Sequence, residues 1–133
     1  MGHTLAVRSG DCPCGSGDEF GVCCLPLHLG AAQAQTAEQL MRSRYSAFAV
    51  GDADYLWRTW HPRTRPESVD IDPQVQWTGL EIVRCVGGLD GDAEGDVEFR
   101  ALYRESQRTG TLHELSRFAV RARRWLYVDG EVS

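Results

Sequence analysis

Four of the five cysteines fall within thirteen residues, and this clustering is the clearest chemical signal in the sequence. Cys12 and Cys14 are separated by one residue, and Cys23 and Cys24 are adjacent. Four thiolates at this density can surround one metal ion, and tetrahedral sulfur sites select zinc or, as a second choice, an iron–sulfur cluster. We therefore predict that these four cysteines bind a structural Zn²⁺.

The chain between the two cysteine pairs has features that suit such a site. Gly15 and Gly17 let the backbone bend so that amide N–H groups can face the thiolates, and the eight residues between Cys14 and Cys23 return the chain across the ion. The adjacent pair needs a local turn, because neighbouring side chains of an extended segment point in opposite directions. His28 lies four residues after Cys24 and could replace one cysteine as a ligand. An iron–sulfur cluster, a redox-active vicinal disulfide and simple buried cysteines remain as alternatives.

The fifth cysteine, Cys85, lies within an apolar, β-branched segment and is predicted to be a plain core thiol. The amino-acid composition is that of a globular protein, with 42% hydrophobic and 25% charged residues. Fourteen basic and nineteen acidic side chains give a net charge of −5. We therefore expect no nucleic-acid partner, since it would need a basic face that joins the late arginines of residues 117–124 to the metal unit.

The sequence has no apolar run of about 20 residues, the length that a membrane span needs. Residues 1–5 have no charged segment and no long apolar core of a secretory signal. We therefore expect a cytoplasmic location and no membrane association. In that reducing compartment clustered cysteines are more often metal ligands than disulfides.

Two helices and then a run of strands must position these groups. Thr36 and Gln39 have capping-box spacing and Gly51 is a stop signal, which predicts a helix between them. Its apolar face comprises Ala37, Leu40, Met41, Tyr45, Phe48 and Ala49. Asp52 is predicted to cap a second helix that carries Tyr55, Leu56 and Trp60.

Strands are predicted over residues 80–86, 97–103, 112–120 and 124–128, with a long acidic, glycine-rich turn over residues 87–96. Helices followed by consecutive strands indicate an α+β fold, in which an antiparallel sheet packs against helices.

Residues 12–17 (Cys-Pro-Cys-Gly-Ser-Gly), Phe20 and the adjacent cysteine pair resemble the SEC-C motif, first recognised in the SecA translocation ATPase. Residues 26–28, 36–48, 59–66 and 77–82 are similar to the bacterial YchJ family, as are residues 97–103, 112–118 and 125–130. The resemblance covers about residues 11–130. It implies a SEC-C metal knuckle in residues 1–30 and a nuclear transport factor 2-like domain in residues 31–133.

A domain of that kind is a curved antiparallel sheet that helices wrap into a cone with an internal pocket. The resemblance also implies that the metal ligands are Cys12, Cys14, Cys23 and Cys24. It brings no established biochemical activity, so the role of the pocket has to be argued from its residues.

Six side chains are candidates for the pocket. His61 and His113 could transfer protons and Arg65 and Arg117 could hold an anion, while Trp60 and Trp77 could form aromatic walls. His113 and Arg117 share one face of their predicted strand, and Glu114 and Ser116 share the other. The simpler interpretation is that these residues are core aromatics and structural polar pairs, and we assign no catalytic residue.

The function favoured by the sequence is a zinc-binding interaction or scaffold protein with an unidentified protein partner and a possible small-ligand pocket in the cone. The alternative is a hydrolase-like or isomerase-like enzyme acting on a small molecule through a pocket histidine and an arginine. Convergence of at least two of those side chains in one cavity distinguishes the two hypotheses.

Overall fold

The computed structural model describes residues 10–133. Residues 1–9, which include the start of the predicted first unit and the segment searched for a secretory signal, lie outside the described part. The elements follow in the order 3₁₀ helix (Phe20–Val22), α1 (Leu25–His28), α2 (Ala37–Val50), α3 (Ala53–Arg58), β1 (Val75–Gly87), β2 (Glu94–Glu105), β3 (Arg108–Arg121) and β4 (Arg124–Val132). Short helices followed by strands confirm the predicted α+β class. Within residues 10–133, no helix has the length and apolar character that crossing a membrane requires.

Helix α2 begins and ends where the sequence predicts. The Thr36 hydroxyl accepts a hydrogen bond from the Gln39 backbone N–H at 3.0 Å. The Gln39 side chain accepts from Gln35 N–H at 2.7 Å, one residue before the position that a capping box uses. Gly51 ends the helix with a φ of 86°, a left-handed conformation that glycine adopts without steric cost.

The buried surface of α2 is wider than its apolar stripe. Ala49 is exposed although it was assigned to the buried face, whereas Ser43, Arg44 and Ser46 are buried. The helix contacts the sheet on one side and α1 and α3 on the other. Two opposed packing surfaces therefore explain why polar residues of α2 are buried.

Helix α3 starts as predicted, with the Asp52 carboxylate accepting from Tyr55 N–H at 3.0 Å. The helix ends at Arg58, so Trp60 is not part of it, contrary to the prediction. Instead Trp60 forms a parallel bridge with Tyr127 of β4. The His61 N–H donates to Tyr127 O at 2.7 Å, which fixes the chain after α3 to the sheet.

The four strands form one antiparallel sheet in the order β1-β2-β3-β4. Each strand is longer than predicted, and the turn between β1 and β2 is correspondingly shorter. In β2 the buried Val97, Phe99 and Ala101 face the helices and alternate with Glu98 and Arg100 on the other face. One face of the sheet is therefore apolar and the other is charged.

The N-terminal segment and the sheet domain share one hydrophobic core. Cys12, Cys14 and Cys24 belong to the same buried cluster as Leu40 and Met41 of α2 and the inward residues of the sheet. A smaller cluster joins Leu27 of α1 to residues of α2 and α3. Packing therefore continues across residues 30 and 31, where the sequence places a domain boundary.

Candidate functional site

The four N-terminal cysteines converge at one point under α2. Their sulfur atoms all lie within 4.8 Å of one another. The Cys14 and Cys23 sulfurs are 3.7 Å apart and those of Cys23 and Cys24 are 3.9 Å apart. Cys12, Cys14 and Cys24 are buried and Cys23 is partly exposed, and all four are free thiols.

Two tight turns bring the sulfurs together. The Cys12 N–H donates to Asp18 O at 2.8 Å and Gly15 N–H donates to Cys12 O at 3.2 Å, which folds the first pair into a loop. Gly15 has a φ of 80°, which favours glycine at that position. Cys23 ends the 3₁₀ helix and Cys24 caps α1, so the adjacent pair lies in the turn that its geometry requires.

The spacing of the sulfurs fits a single tetrahedral ion. A metal–sulfur bond of about 2.3 Å places the sulfurs of a regular tetrahedron about 3.8 Å apart. The Cys14–Cys23 and Cys23–Cys24 separations, 3.7 and 3.9 Å, bracket that value. A four-iron cluster binds each thiolate to a different iron at the corner of a cube and separates the sulfurs more widely, so this group matches one ion better.

The thiols differ in their affinity for protons. Hydrogen bonds from Cys12, which has the larger effect, and from Cys24 hold the pKa of the Cys14 thiol far below its ordinary value. The pKa of Cys24 is raised because its thiol donates to Cys12 and Cys14. Burial raises the pKa of Cys23 to about 11. The four neighbouring thiols therefore do not lose their protons equally readily, and a divalent cation that bound all four sulfurs would displace the protons that remain.

Side chains outside the turns support the sulfurs. The Ser46 hydroxyl of α2 lies 3.4 Å from the Cys12 sulfur, and the Ser16 hydroxyl lies 3.2 Å from that of Cys23. Arg42 Nη1 donates to Cys14 O at 2.8 Å. Outer contacts of this kind orient ligands in metal sites, and here most of them come from α2.

His28 does not take part in the sulfur group. It is buried, its Nε2 lies 2.8 Å from Ser43 O, and its Nδ1 lies 3.9 Å from the Asp52 carboxylate. It therefore joins α1 to α2 and to the start of α3, and the alternative of a histidine ligand is wrong.

The prediction for Cys85 is also wrong, because its side chain is exposed. Cys85 is the register partner of the inward-facing Val97, but it lies on the edge strand β1. There its thiol donates a hydrogen bond to Glu38 Oε1 at 3.6 Å. An edge strand lacks a neighbour on one side, so its inward residues are not always covered.

A second candidate site is a cavity of about 310 Å³ between α2 and the apolar face of the sheet. Its walls are largely aromatic and apolar, and every strand contributes to them. The lining residues are Met41, Arg44, Tyr45, Phe48, Trp60, Trp77, Phe99, Ala101, Leu112, Glu114, Ser116 and Tyr127.

Polar groups of the cavity gather around Tyr127. The Arg44 guanidinium carbon lies 4.6 Å from the centre of the Tyr127 ring and 5.4 Å from that of Trp60. Glu114 Oε2 accepts from Ser116 Oγ at 2.6 Å and from the Tyr127 hydroxyl at 3.3 Å. Burial lowers the pKa of Arg44 to about 10, which leaves its guanidinium charged at neutral pH.

Only two of the six predicted pocket residues, Trp60 and Trp77, line this cavity. His61 lies in the loop after α3, where its Nδ1 accepts from Arg63 N–H at 3.0 Å. The Arg65 guanidinium stacks on Trp57 at 3.7 Å. These two side chains stabilise the loop and do not converge with the tryptophans.

His113 and Arg117 share one strand face, as predicted, but it is the face away from the cavity. His113 Nε2 lies 2.6 Å from Glu98 Oε2, and its Nδ1 lies 2.9 Å from the Ser133 hydroxyl. Arg117 Nε donates to the Asp129 carboxylate at 2.6 Å. Their placement in the pocket is therefore wrong.

The polar cavity residues that the sequence did not single out for the pocket are Arg44, Glu114, Ser116 and Tyr127. A signal for the β3 residues existed. Leu112 and Phe118 have the same parity along β3 as Glu114 and Ser116, and these apolar neighbours mark the buried face. Arg44 had no such signal, because its burial results from packing on two sides of α2.

Comparison with known proteins identifies the family. Residues 36–130 match the family model described as the middle NTF2-like domain of YchJ, and residues 11–26 match the SEC-C motif. The chain belongs to the YchJ family. A relative from Streptomyces coelicolor, UPF0225 protein SCO1677, is 53% identical over 120 residues, which are 90% of this chain and 94% of the relative. A UPF0225 protein from Deinococcus radiodurans is 47% identical over 89% of this chain and 86% of its own length.

Solved structures of two SEC-C motif proteins have the same fold. The solution structure of RPA3114 from Rhodopseudomonas palustris is 32% identical, with a TM-score of 0.81 over 92% of this chain and 98% of that one. The crystal structure of a protein from Psychrobacter arcticus is 31% identical, with a TM-score of 0.75 over 92% and 82% of the two chains. The fold is therefore an NTF2-like domain preceded by a SEC-C motif, as the sequence predicts.

Proposed function

We propose that this member of the YchJ family binds one Zn²⁺ through Cys12, Cys14, Cys23 and Cys24, and that the ion serves structure rather than catalysis. The observation that carries the proposal is the convergence of four free thiols at the spacing of a tetrahedral site. Four thiolates fill the coordination of zinc and leave no open position for a substrate. A reducing, cytoplasmic location would keep all four thiols available to the ion.

In this proposal the ion fixes the N-terminal segment against α2 and makes the two predicted units one rigid scaffold. The buried cysteines in the shared core support that role. A protein partner for the scaffold stays a prediction from the sequence. The alternative of an enzyme with a pocket histidine loses its basis, because neither His61 nor His113 lines the cavity.

Elemental analysis of the purified protein tests the metal proposal. We expect one zinc ion per chain and no iron–sulfur cluster, because the sulfur spacing fits a single ion. Cys14→Ser should lose most of the zinc, since a hydroxyl is a far weaker ligand for zinc than a thiolate. Cys85→Ser is the matched control and should keep the full zinc content, because that thiol lies outside the group.

Two results would overturn the proposal. The first is a protein purified without chelator that holds neither zinc nor another divalent ion and does not take up added zinc. The second is iron and acid-labile sulfide in cluster proportions, which would replace the single ion by an iron–sulfur centre.

A further inference from the structure

The cavity under α2 contains two opposite charges, those of Arg44 and Glu114, that form no direct ion pair with each other. Arg44 is 5% exposed, and within residues 10–133 it forms no ion pair. Its Nη1 donates to Leu56 O at 2.8 Å and to Thr59 Oγ1 at 2.7 Å, which are neutral acceptors. The Tyr127 and Trp60 rings and the more distant Glu114 charge offset part of the cost of burying this cation, and an anion in direct contact with it would offset more.

Glu114 supplies the negative charge at the same end of the cavity. Ser116 and Tyr127 fix its carboxylate by donating to Oε2. Gly130 of β4 leaves room for it, since a Cβ at that position would lie 2.1 Å from Oε2. The carboxylate is therefore held in a defined position, and the Tyr127 side chain contacts both it and Arg44.

A buried donor at this end also has no acceptor. In the described part of the chain, Trp60 Nε1 is the buried side-chain polar atom without a hydrogen-bond partner. Such atoms are uncommon in folded proteins and usually indicate a missing partner. The Trp60 ring is next to the Arg44 guanidinium, so an acceptor bound by Arg44 would enter the same region.

The other end of the cavity is apolar and aromatic. Trp77 packs edge-to-face against Tyr45 with ring centres 6.2 Å apart, and Phe48 lies at the same distance from Trp77. Along β3 the lining changes from Leu112 at this end to Glu114 and then Ser116. The cavity therefore has an aromatic end and a charged end with no net charge.

We propose that this cavity binds a small zwitterion with an aromatic body, which is the chemistry of a free aromatic α-amino acid. The carboxylate binds Arg44, the protonated amine binds Glu114, and the ring lies against the aromatic end. A volume of about 310 Å³ admits such a molecule and excludes a larger cofactor. A ligand with only one charge would leave Arg44 or Glu114 without a charged partner in direct contact.

Calorimetry on the zinc-loaded protein with three probes that share a phenyl ring and a two-carbon chain tests this assignment. The probes are L-phenylalanine, 3-phenylpropionate, which lacks the amine, and phenethylamine, which lacks the carboxylate. We expect each single-charge probe to bind at least about 10-fold more weakly, because each loses one charged hydrogen bond. In NMR spectra the zwitterion should shift the indole signals of Trp60 and Trp77.

Variants locate the binding. Glu114→Gln should weaken L-phenylalanine about 10-fold or more, while the exposed Glu81→Gln on β1 should leave it unchanged. Ala101→Leu should abolish binding by filling the cavity, since Ala101 is a buried lining residue. Zinc is measured in every sample, so that loss of the metal is distinguished from loss of the ligand.

The proposal is overturned if L-phenylalanine shows no saturable binding up to about 10 mM. It is also overturned if either single-charge probe binds as tightly as the zwitterion, or if Ala101→Leu folds and still binds. The probe series needs no variant and therefore decides the question even if Glu114→Gln fails to fold.

Discussion

Two arginines of α2, separated by one residue, serve different parts of the molecule. Arg42 is half-buried, forms an ion pair with Glu38 at 3.0 Å and donates to Cys14 O at 2.8 Å. Arg44 points to the cavity and to the start of the loop after α3. One helix therefore holds the sulfur group with one side chain and polarises the cavity with another.

Arg42→Met tests the contribution of the first arginine. The loss of a charged hydrogen bond to Cys14 O should lower the free energy of unfolding of the metal-loaded protein by about 1–2 kcal/mol. Urea denaturation measures this change. Arg100→Met is the matched control, because Arg100 pairs with Glu81 on the exposed face of the sheet and should change stability by less than about 0.5 kcal/mol. If both variants lowered the free energy of unfolding equally, Arg42 would not specifically stabilise the metal unit.

Residue-scale prediction succeeded where the physical cause is local. Thr36 and Gly51 act on the backbone within one helical turn, so their types reveal the ends of α2 without knowledge of the fold. His113 and Arg117 were assigned to the cavity by their chemistry. The apolar Leu112 and Phe118, however, alternate with them along β3 and mark the opposite face of the strand as the buried one. The burial of Cys85 depended on whether a helix covers an edge strand, which no residue of β1 encodes.

At the scale of elements, the turn between β1 and β2 docks against the start of α2. Ala37 N–H donates to Gly88 O at 2.9 Å, and Gly88 has a φ of 76°. Opposite it, Gly95 lies so close that a Cβ there would be 2.3 Å from Gly88 Cα. A Cβ at Gly88 would lie 2.7 Å from Ala37 Cβ, so the lack of a side chain there lets the turn approach α2, whereas its lack at Gly95 lets the two ends of the turn approach each other.

Gly95→Ala should therefore destabilise the protein by roughly 2–3 kcal/mol or more, since the new methyl group would displace backbone rather than a flexible side chain. Thermal unfolding of the metal-loaded protein measures the effect. Gly79→Ala on β1 is the control, because a Cβ there would meet only Leu102 Cδ1, at 3.8 Å, in ordinary contact. A Gly95→Ala protein as stable as the Gly79→Ala protein would show that the two ends of the turn between β1 and β2 can separate at little cost.

Element-scale prediction was right for α2, α3 and the order of the four strands, because period-two alternation and caps are strong local signals, but it missed the 3₁₀ helix and α1, which are only three and four residues long. The strand ends were placed too far inward, since pairing with a neighbour extends a strand into polar residues such as Arg104 and Arg108. The contact between the hairpin and α2 was not predicted, because it joins residues 37 and 88 through backbone atoms.

For the whole molecule, the shared core makes the sulfur group part of the fold rather than an attachment. Cys12, Cys14 and Cys24 pack with α2 and the sheet. Arg58 Nη2 also donates to His28 O, which connects α1 with α3. Removal of a bound metal should therefore destabilise the sheet domain as well as the N-terminal segment.

Chelation of the metal is expected to reduce amide-exchange protection both in residues 11–28 and in α2, because the two contact each other directly. Hydrogen exchange followed by mass spectrometry, with and without a chelator, measures the change. Cys85→Ser serves as the control and should respond as the unmodified protein does. Loss of protection confined to residues 11–28 would show that the N-terminal segment is an independent unit.

The position of the cysteines also has a consequence for synthesis on the ribosome. Cys12 precedes its neighbour Ser46 by 34 residues, and Gln35 precedes the Trp125 side chain that donates to its carbonyl by 90 residues. The four thiols therefore emerge before the helix and sheet that enclose them have been made. Until then they are exposed to oxidants and to other soft metal ions, so the fidelity of metal loading depends on how quickly the rest of the chain arrives.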